Sequence, residues 1–221
     1  MATSGTTAWE LDVADIMEES YERIGTELRT EYQAKSARRS LNLLLQDLGN
    51  RQINLWKIAE VSVTMIQGTT VYALSESVLD VQTAVLRRND HDLRMNRLGR
   101  GTYETRPNKA TQSRPSQYYI NRVIPVELKV YPAPENSTDV VILQTTTRIQ
   151  DVTSLVETID VPVRLQPAIM SGLTYYLALK FKPEMAQLMK GIFEEELGRA
   201  LEEDRERASL HLTPAATSRR R

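Results

Sequence analysis

The most strongly patterned stretch of the chain covers residues 163–207. Residues 167–181 are apolar on nearly every helical face, Ala168, Ile169, Met170, Leu173, Leu177 and Phe181 among them. A helix apolar all round is one packed all round. Gly172 stands in its middle, where Gly costs stability relative to Ala, so a close-packed neighbour is expected there. Pro183 restarts the chain with a residue suited to the first turn of a helix. Beyond it Met185, Leu188, Met189, Ile192, Phe193 and Leu197 keep an i, i+3, i+4, i+7 spacing, which predicts a second long helix packed on a partner.

Two more helices are predicted near the start. Over residues 9–24, Trp9, Val13, Ile16, Met17, Tyr21 and Ile24 form one stripe with an acidic outer face, and Gly25 ends it. Ser36 is the expected N-cap of the next helix, with Leu41, Leu44, Leu45 and Leu48 facing inward and Gly49-Asn50 as its stop. Asn42, a poor helix former, lies inside it and calls for a polar partner. Arg38 and Arg39 begin this helix, the unfavourable end of the dipole for positive charge. They are therefore expected to pair with the acidic blocks of the chain ends, Glu203 and Asp204 included.

After Trp56 the period changes from 3.6 to 2. Val61, Val63 and Met65 alternate, Gln67-Gly68 turns the chain, and Val71 and Ala73 follow, which predicts a hairpin. Further strands are expected over residues 81–87, 117–123, 126–131 and 140–147, with a proline-marked turn at residues 132–136. Residues 88–114 are long, polar and basic, with room for a short strand near residues 93–95. The expected fold class is α+β: a helical bundle formed by both chain ends, carrying an inserted antiparallel β-sandwich or barrel-like domain. The expected divisions are N-terminal helices over residues 1–55, the inserted β domain over 56–150, a closing helical hairpin over 151–207 and a flexible tail over 208–221.

Composition adds little until charge is placed along the chain. The net charge is −1 over 221 residues, yet residues 10–31 hold eight acidic against two basic residues. Residues 87–114 hold eight basic against three acidic, and residues 194–207 seven acidic against three basic. Separated blocks within a balanced total imply surfaces meant for different neighbours. With no Cys there is no thiol nucleophile and no thiolate metal site, and two distant His residues, His91 and His211, do not make a zinc site. No apolar run is long enough to cross a bilayer and no signal peptide is read.

No phosphate-binding loop, nucleophile elbow or zinc-protease motif is present. Asp90-His91-Asp92 reads as a solvated loop, because adjacent side chains point apart. Carboxylate runs such as Glu194-Glu195-Glu196 fall on solvated helix faces, without the paired placement that a glycosidase needs. Among catalytic readings, a peptidoglycan hydrolase is the weakest that remains. The basic stretch admits a nucleic-acid-binding reading, with few aromatics for stacking. In the tail, Leu210 and Leu212 alternate with polar residues up to Pro214, as in a peptide that lies in a partner's groove; a frayed end is the plain alternative.

Several strings point further. Ser36-Ala37-Arg38-Arg39-Ser40-Leu41-Asn42 is followed by Asn50-Arg51-Gln52-Ile53-Asn54-Leu55-Trp56, and later by Gly68-Thr69-Thr70-Val71-Tyr72. Arg114-Pro115, then Tyr131-Pro132-Ala133-Pro134-Glu135, then Val161-Pro162 and Gly172-Leu173-Thr174-Tyr175 continue in the same order. Taken together, over nearly the whole chain, they resemble the head-to-tail adaptor proteins of short-tailed bacteriophages, the tail tubular protein A type. Ser113 stands where that pattern has Gly before Arg-Pro, which leaves the local turn open.

The resemblance implies a structural virion protein at the head-tail junction, assembled in the host cytoplasm, with no catalytic residues and no cofactor. It implies a ring of twelve copies below the portal protein, seating the tail nozzle protein. Genomic double-stranded DNA would pass through without sequence recognition, and no membrane is involved. Under it the tail residues Leu210, His211, Leu212, Pro214, Arg219, Arg220 and Arg221 are the expected portal-docking segment. Arg94, Arg97, Arg100, Arg106, Lys109 and Arg114 are the expected contact region for the nozzle or a neighbouring copy.

Overall fold

The computed structural model describes residue 5, residues 11–51 and residues 57–203. Two helices open it, α1 (Val13–Arg23) and α2 (Glu31–Asn50). Strands β1 (Ile58–Thr64), β2 (Val71–Ala73), β3 (Val78–Arg88), β4 (His91–Arg94) and β5 (Asn96–Arg97) follow, then the short helix α3 (Arg100–Glu104). Strands β6 (Gln117–Asn121), β7 (Glu127–Tyr131) and β8 (Val140–Thr147) complete the β region. A 3-10 turn at Val163–Leu165 leads into α4 (Gln166–Phe181) and α5 (Pro183–Glu203). Among the described residues the fold is mixed α+β, with five helices and two sheets that are mostly antiparallel.

The helices share one buried cluster. Val13, Ile16, Met17 and Tyr21 of α1, the leucines of α2 and the inner faces of α4 and α5 meet in it, joined by Val152 and Ile159 of the segment returning from β8. Gly172 shows why α4 can lie so close to its neighbours: a Cβ there would stand 2.9 Å from both Leu44 methyls and 2.9 Å from Phe193 Cε2. Pro183 begins α5 as the pattern predicts, and Gly25 ends α1 with φ at +68°. The all-round burial expected of residues 167–181 fails at its last turn, where Leu179 is 50% exposed. Leu188, assigned to the inner stripe of α5, is 61% exposed.

The start of α2 also differs. Thr30, not Ser36, is the N-cap: its hydroxyl accepts from Gln33 N and the Gln33 side chain accepts from Thr30 N, a capping box. Ser36 instead lies buried inside the helix. Asn42 has the polar partner its position called for. Its amide donates to Val152 O at 3.1 Å while Val152 N donates to its oxygen at 2.9 Å, tying the return segment to α2.

The two sheets are ordered β1-β8-β3-β4 and β2-β7-β6-β5, with β5 parallel to β6 and every other pairing antiparallel. The hairpin expected from β1 and β2 does not form. β1 pairs with β8 and β2 with β7, so the chain crosses from one sheet to the other at the Gln67-Gly68 corner. Tyr72 closes that corner: its hydroxyl accepts from Ile66 N at 2.9 Å and donates to Thr69 O at 2.9 Å. Inward residues of both sheets, among them Val81, Leu86, Tyr118, Ile120, Leu128 and Leu143, form a second buried cluster. Where the chain leaves the β region, Thr147 Oγ1 donates to Lys57 O, and the Lys57 ammonium lies 2.6 Å from an Asp160 carboxylate oxygen. One half-buried clamp thus holds the entering and leaving strands together.

Candidate interaction surfaces

The basic stretch over residues 87–114, expected as a long loop, is structured in its first part: residues 91–104 fold as β4, β5 and α3, and residues 105–114 lie outside any helix or strand. Half of its basic residues, Arg87, Arg88, Arg97 and Lys109, are bridged to carboxylates of the chain. Arg87 makes a two-pronged contact with Asp92, at 2.7 and 2.8 Å, so the acid–histidine–acid string is one strand end with its second acid already taken. Arg88 grips Asp139, which is fully buried, through Nε and Nη2 at 2.7 and 2.5 Å, and reaches Glu135 through Nη1. Arg97 and Arg122 both donate to Asp80, at 2.7 and 2.6 Å. Burial alone would raise the Asp80 carboxyl, but the hydrogen bonds from Arg97, Val81 N and Arg122 outweigh it and hold it below its ordinary value.

The remaining predicted contact residues divide. Arg106 stacks over Tyr131 and Lys109 over Tyr103, with Lys109 also near Glu104. Arg94, Arg100 and Arg114 are exposed and make no ion pair among the described residues. A cation already bridged to a carboxylate must give up that partner to neutralise a phosphate, so the block is a weaker polyanion site than its sequence charge suggests. Such pairings over 17 to 51 positions (Arg97 with Asp80, Arg88 with Asp139) leave no local mark in the sequence.

Among the grooves of the helical part, two have contrasting linings. One, of about 450 Å³, runs along α1, with Asp15, Glu18 and Glu22 beside an apolar floor of Leu11 and Met170. Glu19 also borders it and is bridged to Arg23 at 2.9 Å. The other, of about 430 Å³, lies between α2 and the end of α4 and is lined by Tyr32, Ser36, Arg39, Leu43, Lys180 and Phe181. Tyr32 is 70% exposed and Leu43 54%. The Lys180 ammonium is held only by neutral oxygens: Ser40 Oγ at 2.6 Å, Ser36 Oγ at 3.1 Å and Ser36 O at 3.3 Å. Burial, and then the charge of Arg39, hold Lys180 below the usual lysine value. In the sequence the only trace of this seat is the i, i+4 spacing of Ser36 and Ser40.

Arg38 donates to the Thr153 carbonyl. Arg51, which caps the C-terminus of α2, is bridged to Glu194 of α5 at 3.0 Å. The Glu203 side chain, Asp204 and the whole tail, with Leu210, His211, Leu212, Pro214 and Arg219 to Arg221, lie outside the described residues. Among the described residues no group of His, Cys, Asp or Glu could hold a metal ion, and no helix is long and apolar enough to cross a membrane.

Charge-segregated helices with unpaired cations and carboxylates, beside sheets in which Arg87, Arg88 and Arg97 are bridged within the chain, offer surfaces suited to contact with other proteins. The chain belongs to the SU10 adaptor protein family, whose model matches residues 11–219. It is thus a bacteriophage head-to-tail adaptor, a structural component of the virion that works with portal and tail proteins. No curated protein matches the sequence.

Proposed function

We propose that this adaptor is of the tail tubular protein A type and acts as a ring of twelve copies. The ring binds below the portal, extends the DNA channel and seats the tail nozzle. The observation that carries the reading is the family match, which spans both chain ends as well as the β region. In this reading α1, α2, α4 and α5 form a bundle built from both ends of the chain, and the two sheets are a sandwich-like insert between residues 56 and 150. The tail over residues 208–221 docks on the portal through Leu210, His211, Leu212 and Pro214, with Arg219, Arg220 and Arg221 at its end. Repetition around a ring lets each tail bind weakly while the whole holds firmly, because every further tail binds at high effective concentration.

DNA must slide through the channel, and a ring of unpaired cations would hold its phosphates. An acidic or mixed helical face therefore lines most of the channel. The region of Arg94, Arg97, Arg100, Arg106, Lys109 and Arg114 meets the nozzle or a neighbouring copy. The internal pairing of Arg97 and the aromatic stacking of Arg106 and Lys109 support a protein-facing role over a polyanion-binding one. Co-sedimentation with portal rings tests the tail. The full chain should sediment with the portal, and a chain lacking residues 208–221 should stay folded and remain in the supernatant. Equal binding by both would overturn the docking assignment.

A further inference from the structure

The groove between α2 and α4 has an unbalanced chemistry. It presents two cations, Arg39 and Lys180, that no carboxylate among the described residues pairs with, beside exposed apolar surface from Tyr32, Leu43 and Phe181. A cation held only by serine oxygens keeps its full charge for a further partner, and that charge acts strongly beside low-dielectric walls. The groove along α1 has the opposite character. Asp15, Glu18 and Glu22 project at helical spacing beside Leu11 and Met170, and Arg23, which also lines the groove, is bridged to Glu19. The charge left unpaired on each surface is therefore of one sign, beside apolar residues.

The two surfaces lie on different flanks. The return segment is fastened to α1, by Val13 N to Glu157 O and Ala14 N to Leu155 O at 3.0 Å each. The same segment is fastened to α2 through Arg38 and Asn42. It therefore lies between α1 and one edge of α2. Tyr32, Ser36, Arg39 and Leu43 are spaced four, three and four residues apart, roughly a third of a turn round α2 from the edge that the segment covers. One copy cannot bring its own α1 into its own groove; a second copy can.

We infer that the basic, apolar-walled groove of Tyr32, Arg39, Leu43 and Lys180 receives the acidic outer face of α1 from the next copy of this chain, as the lateral joint of the assembly. The contact is head-to-tail, since each copy offers a different patch to each neighbour, and such contacts generate rings when the rotation closes. The inference rests on the ring reading proposed above and adds to it the surfaces and their polarity.

The test uses the full chain, alone and with its portal, with assembly followed by sedimentation velocity. One variant reverses the groove, Arg39→Glu with Leu43→Asp; another reverses α1, Glu18→Arg with Glu22→Arg; a third carries all four changes. All four side chains are exposed, and unchanged circular dichroism will show that the fold is kept. Like charges facing each other cost several kcal/mol, so each reversed variant should lose assembly by at least about tenfold, and the fourfold variant should recover it. Normal assembly by both reversed variants would overturn the joint while leaving the ring standing. Loss without recovery in the fourfold variant would overturn the pairing of α1 with the groove. If the parent chain forms no multi-copy species alone or on the portal, the ring reading fails and the joint fails with it.

Discussion

Gly172 is the residue on which the helical packing turns. Elsewhere in a helix Gly→Ala stabilises by about 0.5–1 kcal/mol. Here the new methyl would meet Leu44 and Phe193 at 2.9 Å, and both side chains are themselves fixed in the buried cluster. Overpacking of that kind costs roughly 1–3 kcal/mol, so Gly172→Ala should lower the denaturant midpoint, and a raised midpoint would show that Leu44 yields freely. Tyr21 makes a second prediction. Burial pushes its hydroxyl up to about 12, and the group donates to Gln33 O at 3.1 Å. The unfolded chain loses this proton near pH 10 and the folded one only near pH 12, so between them the folded state binds more protons and stability falls as pH rises. The loss from this group should be on the order of 2 kcal/mol by pH 12. In alkaline denaturation series Tyr21→Phe should flatten this fall; an unchanged slope would mean that Tyr21 ionises normally in the folded chain.

At the scale of elements, α2 shows what the sequence made legible and what it hid. Its inner face of Leu41, Leu44, Leu45 and Leu48 follows directly from spacing, and all four are buried. Its start was missed although Thr30-Glu31-Tyr32-Gln33 spells a capping box, because residues 31–35 carry no apolar stripe to mark them as helical. Thr30→Ala should cost about 0.5–2 kcal/mol in thermal or chemical melts, since it removes one arm of that box. No measurable change would mean that the first turn of α2 frays in solution. The strands were legible from their alternation, and β8 falls where it was expected, at Val140–Thr147. Their pairing was not, because a Gly-marked turn looks the same whether the chain folds back on its own strand or crosses to another sheet. The charge blocks were legible too. Which charges remain available was not, since Arg88 and Asp139 meet only after β3 and β8 have paired.

At the scale of the whole molecule, the described residues form two buried clusters, one among the helices and one between the sheets. Lys57 with Asp160 ties the crossing strands between these regions, and a shallow cavity of about 230 Å³ there is lined by Leu45, Gly49, Leu79 and Ile149, among others. Such a junction suits an adaptor, whose helical part and sheets can address different neighbours in the virion while remaining one chain. Family membership and the unspent charge of the two helical grooves meet in one claim: many copies close into a ring on the portal. Native mass spectrometry of the full chain mixed with its portal protein tests that claim most directly. A complex carrying twelve adaptor copies per portal ring is expected, with no stable intermediate number dominating. A single copy per portal subunit pair, or portal rings that remain bare, would contradict it.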